Sequence, residues 1–529
     1  MTTYLEFHPS QVQTYLTRWS DLKGRRGASQ MLRDAASSRV IDELLVTMPG
    51  VRRNPDVPDV DGAISVILDS ADLAIDAEQQ IMGHLRETCP AAQFHVASGS
   101  SEGPHDEATY RRIFHRQIMP TVNAGTAQVS LAPVSELPTA MRCTKTGGDL
   151  SVGAASISNN ERHSVGLDVL TRIDRADWRT SQARAAARAK TAMPDTALSL
   201  EDELAKRIGF DNADIFDSEV EDFEQLADLG PPRKRNHLAT VFIDGNRIGE
   251  LIDNCRDDEL IEVSKALSEA TWGALAQATI AVCTLTGTGP GAVTADRRRL
   301  AVLPHIVGGD DVLVTMPAFT GLTFTRTFLR IFTTECEGIT GSGGVSASAG
   351  VIVHHRKFPF TRAADHANDV LAAAKRATQG RSASLALAEL TRDSTNVVHP
   401  DMAWHLSDLD ANVDLLEAMA GWPNSMRSTL EQAIAPAIDL HRLLQQRHAQ
   451  NTSASVAELK EFDETVWVSA SSVLLTLRRS PSITGGAALI DRITAAGASG
   501  SRREVEGELV FVGRALSISR WWLTEEGLA

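Results

Sequence analysis

Apolar and polar positions mark out the elements of this chain most clearly between residues 238 and 387. Leu238-Ala239-Thr240-Val241-Phe242-Ile243 is an apolar, β-branched run of strand length and predicts a buried strand. Asp244-Gly245-Asn246-Arg247-Ile248-Gly249 predicts a turn into a helix, which Leu260, Val263 and Leu267 continue at helical spacing. Two apolar runs, Leu300 to Leu303 and Val312 to Val314, flank Gly308-Gly309-Asp310-Asp311, the pattern of a β-hairpin with a polar tip. Phe324, Phe328, Ile331 and Phe332 share one face of a second helix. Val345 to Val353 reads as a strand, Ala363 to Lys375 as an Ala-rich helix, and Ser384 to Leu387 as a short strand. The order β, α, β-hairpin, α, β, α is ferredoxin-like with additions.

A weaker copy of this unit opens the chain. Tyr4-Leu5-Glu6-Phe7 predicts a strand, Val12 to Leu16 the start of a helix, Ala63 to Leu68 a strand behind Asp61-Gly62, and Gln93 to Ser98 a later strand. His8 aligns with Asp244, and only Asp61 remains near the hairpin tip, so this copy lacks the acidic set. From about 135 to 236 the pattern is irregular. Arg172, Arg175, Arg179, Arg184, Arg188 and Lys190 form a basic helical block, and eleven acids against two bases follow between Glu201 and Asp228. The stretch reads as solvated, partly disordered linker; the sharper alternative pairs the basic block with the acidic one or with a polyanion. Beyond about residue 400, Leu415, Leu416 and Met419 suggest one amphipathic helix, and Trp467, Val468, Val473, Leu474 and Leu475 another. The expected fold is α+β. It has a degenerate ferredoxin-like palm at 1–135, an irregular inter-palm region at 136–236, a catalytic palm at 237–392 and a helical C-terminal domain at 393–529.

Composition narrows the reading. A length of 529 residues fits about three or four domains. No apolar run approaches the roughly 18 residues of a membrane span, and the N-terminus lacks the pattern of a signal peptide. The five cysteines are scattered without a CxxC pair, which supports neither a disulfide framework nor a zinc ribbon. A cytoplasmic protein without membrane partners is expected. The formal charge of −16 argues against a broad basic surface for nucleic acid and leaves room for a local groove.

The acidic tip carries the chemistry. Adjacent carboxylates in an apolar setting repel each other, and a divalent cation removes that penalty; hard oxygen ligands suit magnesium or manganese. Palm-type polymerases and nucleotide cyclases hold catalytic metals on such a hairpin. In a ferredoxin-like sheet the strand ending at Asp244 neighbours the hairpin, so Asp244, Asp310 and Asp311 converge and suit two cations about 4 Å apart. One lowers the pKa of an attacking ribose hydroxyl, and the other stabilises the leaving pyrophosphate. Gly308 and Gly309 permit close approach of backbone and ligand. Gly245, Asn246 and Gly249, at a predicted helix start, offer N–H groups to phosphate, with Arg247 beside them. Lys375 can reach a triphosphate from the last helix. The plain alternatives are a surface turn for Asp310 and Asp311, a turn and N-cap for 245–249, and an exposed helix lysine for Lys375. His354 and His355 read as packing or surface, with Arg356 and Lys357 as weaker phosphate candidates. His105-Asp106 reads as a loop.

Phe242-Ile243-Asp244-Gly245-Asn246-Arg247-Ile248-Gly249, Gly308-Gly309-Asp310-Asp311, Ser348-Ala349-Gly350-Val351 with His355, Lys357 and Pro359, and Ala374-Lys375 resemble the large polymerase-like subunit of type III CRISPR effector complexes. Val12 to Leu16, Asp21-Leu22-Lys23 and Gly27-Ala28-Ser29 resemble that family's first, non-catalytic palm. The resemblance implies a nucleotidyltransferase that turns ATP into cyclic oligoadenylate messengers in antiviral defence. It implies Asp310 and Asp311 as the metal pair, Asp244 as the first-strand aspartate and Lys375 as a triphosphate contact. It also implies effector-complex subunits and guide or target RNA as partners, and is compatible with a homo-oligomer. The chain departs from the family in starting directly in the first palm, without an HD nuclease domain. Cys143 alone stands where a four-cysteine zinc module is frequent, and Asn246 stands where a second acid is frequent. The alternatives are a non-catalytic scaffold of such a ribonucleoprotein, a stand-alone relative, and a GGDEF-like cyclic dinucleotide synthase using GTP.

Overall fold

The computed structural model describes residues 2–522 except 20, 58–61, 124–127, 130–140, 148, 157–161, 190–197, 212–214, 216–217, 232–234, 256–258, 340–344, 391–402 and 450–454. In the first unit, β1 (Thr2–Ser10), β2 (Val51–Arg53), β3 (Ile64–Leu68), β4 (Gln93–Ser101) and β5 (Gln128–Val129) form a sheet in the order β2-β3-β1-β4-β5. The helices Leu22–Ala36 and Ala74–Thr88 lay Ala28, Met31, Leu32, Ala77, Ile81 and Leu85 on its Leu5, Phe7, Val66 and Phe94. Then β6 (Gly153–Ser156) and β7 (Arg162–Val165) make a small antiparallel ribbon.

The second unit contains β8 (His237–Asn246), β9 (Leu303–Gly308), β10 (Asp311–Pro317), β11 (Ser346–His355), β12 (Ser384–Glu389) and β13 (Trp404–His405) in the order β13-β12-β11-β8-β10-β9. The four strands β11-β8-β10-β9 repeat the antiparallel arrangement β4-β1-β3-β2 of the first unit, so both copies have the ferredoxin-like order. Side-chain alternation sorts the two faces. Val241, Ile243, Val312 and Val314 join the core under the helices Leu260–Thr286 and Gly321–Glu337, while Phe242, Leu313 and Ile352 pack under Phe360–Thr378.

One boundary differs from the expectation. β8 does not end at Asp244: Gly245 pairs with Ala347 and Asn246 with Ser346, so the β11 ladder extends the strand two residues further. The turn falls at Arg247, whose φ is 64°.

The inter-palm region contains a long helix, Leu167–Ala189, on which Arg172 and Arg179 are buried. Arg179 pairs with Asp202 at 2.6 Å and also with Glu219, so part of the basic block meets the acidic stretch inside the protein. Lys190 lies outside the described residues. The C-terminal part is helical. Asn424–Ala449, Val456–Arg478, Gly486–Ala498 and Arg502–Ser519 share one continuous apolar core with the second palm, in which Trp404 meets Phe511 edge-on at 5.6 Å. No helix among the described residues is long and apolar enough to cross a membrane.

Candidate functional site at the second-palm hairpin

Gly308 pairs with Asp311, leaving Gly309 and Asp310 as a two-residue turn between β9 and β10. Gly309 has φ 56° and Asp310 has no positive φ, the pattern of a II′ turn, which twists with the strands it joins. Thr271, on the helix Leu260–Thr286, donates its hydroxyl to the Gly309 carbonyl at 2.7 Å and pins the tip. Asp310 points its carboxylate back at β8 and accepts the Gly245 N–H at 3.1 Å. A Cβ on Gly245 would lie 2.5 Å from that carboxylate oxygen, so the close approach needs glycine. Asp244 shares the face of Phe242, the face covered by Phe360–Thr378. From that helix Lys375 places Nζ 2.6 Å from Asp244 Oδ1 and donates to the Gly245 carbonyl at 3.1 Å.

Asp244, Asp310, Gly245 and Lys375 therefore meet at one corner. Burial, and then the charge of Asp244, raise the Asp310 carboxyl above the usual carboxylate range; Lys375 and backbone hydrogen bonds pull against them. The Asp244 and Lys375 side chains are 35% and 30% exposed, so the corner opens to solvent.

The other expected residues are placed differently. Asn246 is turned into the sheet, 2% exposed. It donates to Ser346 Oγ at 3.0 Å and to the Ser382 carbonyl at 3.2 Å, and accepts from Ser348 Oγ at 3.0 Å. Its amide thus ties β8 to β11. Arg247 is exposed and bonds Glu250 at 2.8 and 2.6 Å. The Gly245 N–H expected to be open to phosphate is occupied by Asp310. Gly308, Gly309 and Asp311 are half-buried at the hairpin. Among the described residues no three His, Cys, Asp or Glu side chains gather as they would around a metal ion. Sequence reasoning missed Thr271, since a threonine inside an apolar helix carries no mark of a distant partner. His354 is buried. Asp106 caps the helix Glu107–Ile113 by accepting from the Thr109 N–H, so His105-Asp106 belongs to a loop and cap.

In the first palm the pair beside the tip is Phe7–Ile64, where the second has Ile243–Val312. Gly62 and Ala63 then stand where the second palm has Asp310 and Asp311. Asp61 lies outside the described residues.

Residues 237–384 match the family described as Cas10/Cmr2, second palm domain. This segment is thus similar to a Cas10/Cmr2 second palm. The whole chain is similar in shape to a chain of the apo Csm1-Csm4 cassette, with TM-score 0.50 at 13% identity, covering 97% of this chain and 70% of that one. At that identity the likeness speaks for the fold, and it extends beyond the Cas10/Cmr2 segment to the first palm and the helical part. A Csm1-Csm4 cassette in complex with one ATP matches with TM-score 0.49 at 14% identity, covering 98% and 70%. Csm1 in T. onnurineus matches with TM-score 0.46 at 14% identity, covering 97% and 69%. No curated protein matches the chain.

Proposed function

We propose that this chain is a metal-dependent nucleotidyltransferase whose second palm joins ATP into cyclic oligoadenylate-type products in antiviral defence. One observation carries the reading. Asp244 and Asp310, 66 positions apart, stand at one solvent-facing corner with Lys375, inside the segment that matches the Cas10/Cmr2 second palm. The donor chemistry fits a hard divalent cation: two carboxylates repel each other there, and one is held partly against ionisation. Asp244 and Asp310, with Asp311 beside them on the hairpin, would hold magnesium or manganese, which would acidify an attacking ribose hydroxyl and stabilise the departing pyrophosphate. In the reaction the hydroxyl oxygen bonds to the α-phosphorus, the bond to pyrophosphate breaks, and the hydroxyl proton passes to solvent. Lys375 supplies positive charge where a triphosphate would lie, and Gly245 keeps Asp310 against β8. We place the domains at 1–135, 136–236, 237–392 and 393–529.

A second reading, a non-catalytic scaffold of a type III CRISPR-like ribonucleoprotein, draws on the ammonium of Lys375 seated on Asp244 and on the lack of a gathered ligand set among the described residues. The deciding experiment incubates purified protein with magnesium or manganese and each nucleoside triphosphate in turn, measures pyrophosphate and identifies the products by mass. The proposed function expects cyclic adenylates from ATP, and loss of turnover in the Asp310→Ala/Asp311→Ala variant. Turnover that survives in that variant would place the chemistry elsewhere. Cyclic guanylates would favour the GTP reading, and co-purifying RNA without turnover the scaffold.

A further inference from the structure

A row of buried polar side chains crosses the second palm, and the proposed chemistry makes no use of it. His305 on β9, Thr315 on β10, Thr240 on β8 and His354 on β11 stand on four adjacent strands, with exposures of 8%, 0%, 0% and 2%. Each bonds the next: His305 Nε2 to Thr315 Oγ1 at 2.9 Å, Thr315 Oγ1 to Thr240 Oγ1 at 3.1 Å, and Thr240 Oγ1 to His354 Nε2 at 2.9 Å. Beyond them, His354 Nδ1 lies 3.0 Å from the His355 carbonyl. At the opposite end stands Arg25, from the first palm's Leu22–Ala36 helix, 4% exposed, with Nη1 3.0 Å from His305 Nδ1. Its guanidinium lies over the Phe360 ring, 3.6 Å from the centroid, and 4.8 Å from that of Phe223. Its Nε and Nη2 have no hydrogen-bond partner among the described residues.

The two ends fix the direction of the whole row. A guanidinium only donates and a carbonyl only accepts. His305 must accept at Nδ1, which leaves Nε2–H to donate to Thr315. The Thr315 hydroxyl then donates to Thr240, the Thr240 hydroxyl to His354 Nε2, and His354 Nδ1–H to the His355 carbonyl. Every group has one role. Both imidazoles are neutral, and they carry their protons on opposite nitrogens. A longer approach of Arg25 Nη1 to His305 Nε2, at 3.4 Å, does not change the assignment, because Nε2 already faces Thr315. A second proton on His305 would face the Arg25 guanidinium donor to donor, and one on His354 would turn the Thr240 hydroxyl proton away from its acceptor, both at buried groups.

We propose that Arg25 is a positioning residue for the second palm: it fixes the direction of this hydrogen-bond row and so holds the sheet bearing Asp244 and Asp310 against the first palm. The role in turnover rests on the proposed function; the hydrogen-bond pattern does not. The first test is therefore nuclear magnetic resonance of the unmodified protein labelled with ¹⁵N-histidine, the two rings being assigned by single His→Asn replacements. The expected result is His305 as the Nε2–H form and His354 as the Nδ1–H form, both neutral between about pH 5 and pH 8. The same tautomer in both rings, or a proton gained by either in that range, would overturn the proposal.

The second test measures pyrophosphate release in Arg25→Met, Thr240→Val and the double variant, since the hydrogen-bond row links these two side chains through His305 and Thr315. Each single change is expected to lower turnover by roughly 2- to 30-fold, and the double to fall no further than the worse single. Losses that multiply would remove the positioning role. If the unmodified protein turns over no triphosphate, the proposed function fails while the tautomer result still decides the hydrogen-bond row.

Discussion

Gly245 shows how little room the corner leaves at the scale of one residue. Its N–H holds Asp310, and an added methyl group would meet the Asp310 carboxylate and Ile248, each at 2.5 Å. Gly245→Ala is expected to fold, at a cost of about 1–3 kcal/mol from overpacking, and to lose turnover because Asp310 must swing away. Thermal unfolding and pyrophosphate release from the same preparation check this; full turnover in the variant would show that the Asp310 position is not needed. Much of this corner was legible in the chain. A Gly-Gly-Asp-Asp turn between apolar runs predicts its own hairpin, and an aspartate after a β-branched run predicts its own strand. The neighbours of Asp244 were less legible. Asn246 has the look of a turn residue, but Ser346 and Ser348 complete a ladder around it, and only tertiary pairing supplies those partners. Lys375 was readable as a cation near the site, and its contact with Asp244 was not, because helix periodicity gives a face and not the residue at its end.

At the scale of elements, periodicity carries furthest. Apolar, β-branched runs for strands and a period of 3.6 for helices were enough to write the second unit's order, including the hairpin and the closing short strand β12, while in the first unit they gave β1, β3 and β4 but not β2 or the helix Ala74–Thr88. Charge runs carry less, because a run of arginines looks the same whether it meets water or buried acids. The helix Leu167–Ala189 has both outcomes: Arg184 is exposed, while Arg179 is 3% exposed between Asp202 and Glu219. Arg26 meets Glu201 in the same region and draws the first palm into it. Arg179→Met would leave Asp202 buried without its cation and Glu219 with the more distant Arg26, 3.9 Å away. It is expected to destabilise the protein by about 3–5 kcal/mol, whereas Arg184→Ala should stay within about 0.5 kcal/mol. Denaturant unfolding of the two variants side by side checks this, and equal midpoints would mean that the buried pairs contribute no net stability.

At the scale of the whole molecule, a charge of −16 means that raising the pH adds self-repulsion to an already acidic chain. One buried group in the first palm adds to that slope. Glu6 on β1 is 1% exposed, accepts from Ser65 and from Tyr110 at 2.9 Å, and has His8 Nε2 at 3.6 Å. Burial outweighs those hydrogen bonds and raises its carboxyl to about 8 from the ordinary 4.5. The folded state therefore holds a proton that the unfolded chain has released over that range. The Glu6 contribution is complete below about pH 4.5 and is lost as the pH rises through about 8. On the acid side His354 acts in the opposite sense. Burial lowers its imidazole to about 4 from 6.5, so its contribution is present above about pH 6.5 and is lost as the pH falls through about 4. Glu6→Gln keeps the size of the side chain and removes only the first of these slopes. The variant should match the parent near pH 5 and exceed it by a few kcal/mol near pH 9. Unfolding midpoints at both pH values read the difference directly, and a constant gap between parent and variant would mean that Glu6 stays ionised in the folded protein.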